Sequence, residues 1–321
     1  MKPARVLALL AVPLFAYQAW TLAGWLADGP HQITEFRDRD STSWYAARVA
    51  EVLILAGTLV IAGIVVRDCL RKRRLTFDAM LIIGLTTAAF WDPIYNWITP
   101  AWLYSSNWLN LNDWFSHAPL ALNPDHGRMP WPIFPVLVGY SFWGLAFAAL
   151  DNAVMRRVRR RRPGIGPAGL VAVAFASAGT TTVVAFGVFK LLDLMHAPGF
   201  RATFLADNEF AFFFWSGGIV FGAIACLRFF LDENGLALPE RGTEGMSPSR
   251  RTVVSLLATI ATCQLVVIAG WGLLSVPATL YSAPYPETPA HLINGLCDAP
   301  GITGTEYGPC PGGDGFRVPL R

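Results

Sequence analysis

Residues 77–98 read FDAMLIIGLTTAAFWDPIYNWI. A membrane-spanning helix takes about 20 mostly apolar residues, and this run has that length with acids only near its two ends. Asp78 sits at one boundary. Asp92 follows Phe77 by fifteen residues, roughly 22 Å along a helix at about 1.5 Å per residue. In a hydrocarbon core about 30 Å thick, that places Asp92 in the half of the membrane farther from Phe77. Pro93 lacks an amide hydrogen and breaks the helical ladder there, which is tolerated where the backbone lines a cavity. Asn96 lies one turn beyond Asp92 on the same face. Trp91-Asp92-Pro93 is therefore read either as a helix end at the water boundary or as the floor of a cavity, and Asn96 favours the cavity.

Working outward, six further apolar runs lie near 6–27, 44–66, 132–154, 168–194, 209–230 and 252–275. The chain has 321 residues, of which 54% are hydrophobic and 15% charged, with a mean hydropathy of +0.42. This composition points to an integral membrane protein, and runs this long do not fit a barrel of alternating strands. The predicted fold class is all-α, a polytopic membrane helix bundle of about seven transmembrane helices. Basic residues mark its orientation: Lys2 and Arg5, then Arg67 and Arg71 to Arg74, then Arg156, Arg157 and Arg159 to Arg162, then Arg241, Arg250 and Arg251. Residues 99–130 contain only Arg128. By the positive-inside rule the amino end is inside and the carboxyl end outside the cytoplasmic membrane. Residues 1–27 are too long for the apolar core of a cleavable signal and read as an uncleaved helix. The arginine run between two spans reads as a topology signal or a contact with anionic lipid, with no nucleic-acid partner.

Two units follow: a seven-helix domain over 1–275, including the outer loop 99–130, and a Pro/Gly-rich extracytoplasmic tail over 276–321. Cys297 and Cys310 fall in that tail, where an oxidising compartment permits a disulfide. No dinucleotide-binding or phosphate-binding glycine motif occurs, so no cofactor is expected. The loop 99–130 is too long for a connector. Its tryptophans fit a segment lying at the membrane interface, which leaves Asp113, His117, Asp125 and His126 unexplained. These are candidates for acid–base groups or metal ligands, though they match no metal motif.

Charged groups inside the spans usually face a bundle interior or a cavity. Glu51, three residues after Arg48, is either its ion-pair partner or a site residue. Asp193 stands in the same relation to Lys190. Glu209, with Asp207 and Asn208, begins the sixth run, where capping is the simplest role. Gly139, Tyr140, Ser141 and Gly144 suit close helix packing. Glu51, Asp92, Asp193 and Glu209 all fall in the outer halves of their spans. The expectation is a pocket open to the outer side, lined by carboxyls and aromatics. Its catalytic candidates are Asp92, Glu51, Asp193 and His117, and its substrate-binding candidates are Trp91, Asn96, Asp113, Tyr140 and Glu209.

A carboxyl in a poorly hydrated pocket keeps its proton and can act as a general acid, and aromatic faces stabilise a cation. That pairing suits a carbocation or oxocarbenium ion formed on a lipophilic small molecule. Trp91-Asp92-Pro93-Ile94-Tyr95-Asn96, the Trp/Asn-rich loop, and Trp131-Pro132-Ile133-Phe134-Pro135 with Gly139-Tyr140 resemble the AveC-type spirocyclase family, most closely over residues 76–150. The resemblance implies a multispan membrane protein that makes spiroketals during polyketide maturation, by dehydrative closure of a dihydroxy-ketone. Two other readings are a membrane terpenoid cyclase, which protonates an olefin or epoxide, and a non-catalytic lipid-binding or transport accessory protein. No internal repeat supports a transporter. The sequence sets no oligomeric state.

Overall fold

The computed structural model describes residues 2–200, 208–276, 284–298 and 308–316. Asp207 and the side chain of Asp125 lie outside the described residues, as does much of the tail. The described chain is predominantly helical: α1 (Pro3–Asp28), α2 (Thr42–Lys72), α3 (Phe77–Ala88), α4 (Tyr140–Arg161), α5 (Pro167–Leu191), α6 (Glu209–Phe229), α7 (Pro248–Val267) and the short α8 (Ala290–Ile293). Two two-stranded antiparallel ladders complete it. They pair β1 (Leu103–Tyr104) with β4 (Met195–His196), and β2 (Asn110–Asn112) with β3 (Pro130–Pro132). The protein is an all-α helical bundle.

Six of these helical segments are long and apolar enough to cross a membrane: those starting at Pro3, Thr42, Phe77, Pro167, Glu209 and Pro248. The run 132–154, read above as a single span, is divided in the structure. Ile133–Val138 forms a π turn, α4 begins at Tyr140, and its last turns are arginine. The run 77–98 is divided too: α3 tightens at Ala89 into a 3-10 turn that continues to Asn96. Pro93 explains the change, because it supplies no amide to the ladder. On α1 and α2 large apolar side chains face outward. Leu9, Val12, Leu53 and Leu59 are each at least 60% exposed, as expected for helices with an apolar solvent.

Inside the bundle α5 packs on α6, while α1 and α3 both pack on α7. Small residues allow the α5–α6 approach: a Cβ on Gly217 would fall 2.0 Å from Thr182 Oγ1. At the basic end, Arg228 of α6 holds Asp78 of α3 in a two-pronged ion pair at 2.7 and 2.8 Å.

Residues 97–132 form a folded cap. Trp102, Trp108, Trp114 and Trp131 are each at most 2% exposed, so they are core rather than an interfacial belt. The cap has little regular structure, and scattered backbone bonds and side chains together satisfy its backbone. Asn96 Oδ1 accepts the Ala101 and Trp102 amides at 2.8 and 2.7 Å, and its Nδ2 donates to Trp102 O. Glu51 Oε1 accepts the Leu109 amide at 2.6 Å and an Arg48 hydrogen bond at 2.8 Å, while Arg48 also donates to Asn107 O at 2.6 Å. Asn112 takes hydrogen bonds from Trp25 of α1 and from the His31 amide. Cys297 and Cys310 are joined by a disulfide.

Glu51→Ala leaves the Leu109 amide and the Arg48 guanidinium without their acceptor, and should cost about 2–3 kcal/mol. Glu51→Gln keeps an acceptor and should cost about 1 kcal/mol. Thermal melting in detergent checks the order; equal melting of both variants with wild type would remove Glu51 as an anchor. Gly217→Ala should lower the melting temperature through overpacking, at about 1–3 kcal/mol. Thr182→Gly in the same chain should recover part of the loss.

Candidate active site

Asp92 lies in the 3-10 turn after α3 and is 2% exposed. Tyr104 Oη donates to Asp92 Oδ2 at 3.0 Å. Tyr104 is held there by the β1–β4 ladder, in which it faces Met195. Trp131 of β3 and Tyr140 at the head of α4 interact with the same carboxyl, though outside strict hydrogen-bond geometry. Gly139 makes this placement of Tyr140 possible, because a Cβ there would meet Ile54 Cγ2 at 2.6 Å and Phe134 O at 2.7 Å. No cationic side chain partners Asp92 among the described residues.

Aromatic rings enclose this carboxyl. Tyr95 is stacked between Trp102 and Trp271, each with its ring centre 4.7 Å away. Trp271 comes from a π turn that interrupts α7, and it meets Tyr140 edge-on at 5.7 Å. Between these rings is a cavity of about 30 Å³ bounded by Asp92, Tyr95, Trp102, Tyr104, Tyr140 and Trp271. That is room for one or two waters. Tyr95 Oη, Tyr140 Oη, Trp102 Nε1, Trp131 Nε1 and Trp271 Nε1 are all buried without a hydrogen-bond partner of good geometry. Buried polar groups normally find partners. Among the described residues Trp131 and Tyr140 approach Asp92, Trp102 approaches Tyr104 and Tyr95 approaches Ser216, each without closing a hydrogen bond of good geometry. Burial also drives the Tyr104 phenol well above its ordinary range, and a charge on Asp92 adds to this whenever that carboxyl is ionised, so Tyr104 remains a donor.

Asp113 belongs to a second buried pair. Its Oδ1 accepts the Phe115 amide at 2.8 Å and caps the turn Trp114–His117, and its Oδ2 bonds His126 Nδ1. Burial raises the Asp113 carboxyl, with the adjoining His126 pulling the other way. The charge of Asp113 reaches Asp92, although Asp113 does not line the cavity.

The other sequence candidates stand elsewhere. Glu51 is committed to Arg48 and the Leu109 amide. Asp193 bonds His196 at 3.1 Å, which holds its carboxyl below the ordinary range. Lys190, expected beside Asp193, instead pairs at 2.7 Å with Glu209, whose other oxygen accepts the Ala197 amide. His117 reaches outward to Asp28 at 3.1 Å. Trp91 points toward α7, donating to Gln264 at 2.9 Å, and stacks on Tyr17. Asn96 is occupied in clamping the cap. Of the nine candidates, Asp92 and Tyr140 are brought together at the cavity. Tyr95, Trp102, Tyr104 and Trp271 were not singled out from the sequence. Tyr95 sits three residues after Asp92 and was quoted within the motif; the others carry no spacing signal that ties them to Asp92.

No curated protein and no solved structure matches the chain. A family model described as "Spirocyclase AveC-like" matches residues 72–292. The matched stretch starts at the last residue of α2 and stops within α8, so it contains Asp92, the cap and every ring named around the cavity. The chain belongs to the AveC-like spirocyclase family.

Proposed function

We propose that the protein is a membrane-embedded cyclase that closes a lipophilic, polyketide-like dihydroxy-ketone into a spiroketal by acid-catalysed loss of water. Family membership supports a cyclase role in polyketide biosynthesis. The observation that carries the chemistry is the buried Asp92 carboxyl, hydrogen-bonded to Tyr104 and surrounded by aromatic rings, with Trp131 and Tyr140 close to it outside strict hydrogen-bond geometry.

In the proposed reaction one substrate hydroxyl has added to the ketone, giving a hemiketal. Asp92, carrying its proton because an isolated carboxylate is costly in an apolar site, protonates the hemiketal hydroxyl. The C–O bond breaks, water leaves, and an oxocarbenium ion remains. The second hydroxyl attacks that carbon and returns its proton to the Asp92 carboxylate. The balance is one dihydroxy-ketone to one spiroketal and one water. Glu51, Asp193 and His117 stand outside the cavity, so Asp92 takes both the acid and the base role. Tyr104 steadies the carboxylate between the two transfers. Trp102 and Trp271 each cover one face of Tyr95 and would turn their own other face toward the cation, worth about 0.5–2 kcal/mol each. Enclosure keeps bulk water from recapturing the cation. A cavity of about 30 Å³ admits a substrate only after the cap and ring side chains shift, so opening is a step of the cycle.

We also propose that the cap faces the extracytoplasmic side of the cytoplasmic membrane. The basic segments lie at the other end of the bundle, which suits the cytoplasm, and the Cys297–Cys310 disulfide suits an oxidising compartment.

Asp92→Asn in folded protein should lower the rate of spiroketal formation from a synthetic dihydroxy-ketone by about 10²–10⁴-fold. Tyr104→Phe should lower it by about tenfold. Chiral chromatography with mass detection separates this product from uncatalysed closure, and full turnover by Asp92→Asn would exclude the mechanism. For orientation, Leu120→Cys on the exposed rim of the cap should react in intact cells with a membrane-impermeant maleimide. Arg160→Cys should react only after lysis. The reverse pattern would invert the topology.

A further inference from the structure

A second cleft lies at the end of the bundle away from Asp92. It has a volume of about 530 Å³ and is walled by the α2–α3 link, α4, the end of α6, the turn at 238–240 and the start of α7. Five cationic side chains line it, Lys72, Arg74, Arg156, Arg228 and Arg251, against three carboxylates, Asp68, Asp78 and Glu240. Two positive charges are left in excess.

The carboxylates are already engaged. Asp78 holds Arg228 through both oxygens, and Asp68 accepts from Lys72 at 2.8 Å. Glu240 Oε2 accepts the Ala237 amide at 3.1 Å and caps its turn, with Arg251 and Arg74 within reach of its charge. Arg74, Arg156 and Arg251 make no ion pair among the described residues. They come from three elements far apart in sequence, yet all three border one cleft.

A topology signal requires basic residues near the inner ends of spans; it does not require them to converge. The contrast within one helix makes the point, because Arg156 lines the cleft while Arg157 and Arg159 to Arg162 do not. Guanidinium groups bind phosphate oxygens through paired N–H donors, and Phe77 and Leu231 add apolar wall beside them.

We propose that this cleft binds the phosphate group of an anionic ligand through Arg74, Arg156 and Arg251, as a site separate from the Asp92 cavity. The phosphate belongs either to a membrane phospholipid or to a soluble phosphate compound, and the two sources are separable.

The test uses the full chain in neutral detergent. Phosphatidylglycerol and phosphatidylcholine are compared by native mass spectrometry, and inorganic pyrophosphate by thermal shift. Wild type is set beside Arg74→Gln/Arg156→Gln/Arg251→Gln and beside Arg159→Gln/Arg160→Gln/Arg161→Gln, which removes the same charge outside the cleft. Each arginine near a membrane surface is worth about 1 kcal/mol, or roughly fivefold. The cleft variant should therefore lose at least about tenfold in retained phosphatidylglycerol relative to phosphatidylcholine, while the control variant keeps it. If instead pyrophosphate raises the melting temperature of wild type and control but not of the cleft variant, the same site holds a soluble phosphate. Equal losses in both triple variants, or no phosphate response in any chain, overturn the proposal. Should the cleft triple variant fail to fold, Arg156→Gln and Arg251→Gln singly carry the comparison, each with a loss of about fivefold.

Discussion

A buried backbone has to have its amides and carbonyls satisfied, and in this protein the cap over the bundle meets that demand in large part with side chains. Regular ladders supply only β1–β4 and β2–β3. Scattered backbone pairs such as Leu122 N–Trp97 O and Asp113 N–Met129 O add to these, and side chains supply much of what remains: Asn96 on Ala101 and Trp102, Glu51 on Leu109, Arg48 on Asn107, Arg37 on Ser106 and Trp108, and Asn110 on Ser106 and Trp108. Each of these side chains does for an irregular segment what the helical ladder does for α5. Without them the cap could not bury its tryptophans, and Tyr104 would have no fixed place above Asp92.

This constraint separates structural polar residues from chemical ones. Polar side chains near the capped end of the bundle share a location, but they differ in whether their hydrogen-bonding capacity is used up. Glu51 and Glu209 each serve a cation and a backbone amide. Asn96 spends both ends of its amide on the turn that follows it. Asp92 is different: among the described residues it receives one hydrogen bond of good geometry, from a phenol, and has no cation beside it. The donors around it stop short of good hydrogen-bond geometry when the cap and helices have closed. Incomplete pairing, more than charge or depth, singles out the site.

The sequence made much of this legible. Runs of about 20 apolar residues forced the helical bundle, and the Trp91-Asp92-Pro93 break located the acid, because proline's missing amide acts locally. The tryptophans of 99–130 fitted an interfacial segment, and their burial in a folded cap is the structure's correction, whereas the disulfide that the two tail cysteines permitted is formed. Contacts between distant elements were not legible. Hydropathy treats 132–154 as one span, since it does not register the change from π turn to α-helix at Gly139. Charge spacing suggested Lys190 with Asp193, three residues apart, but the pairing is with Glu209 on the next helix, because both partners face inward there. Helical spacing predicts neighbours along one element only, whereas the ring of Tyr104, Trp131 and Trp271 is assembled from three.

The family match begins at residue 72, which leaves α1 and nearly all of α2 outside it, and yet both helices hold the cap. Trp25 and Tyr17 of α1 donate to Asn112 and Pro119 of the cap, and Glu51 and Arg48 of α2 fix its residues 107–109. The groups proposed to react thus lie within the matched region, while part of what positions them lies before it. Helices in that position can differ without changing Asp92 or its rings, and would then alter how tightly the cap closes. If opening the cap admits the substrate, α1 and α2 control that step, and they do so through ordinary backbone hydrogen bonds.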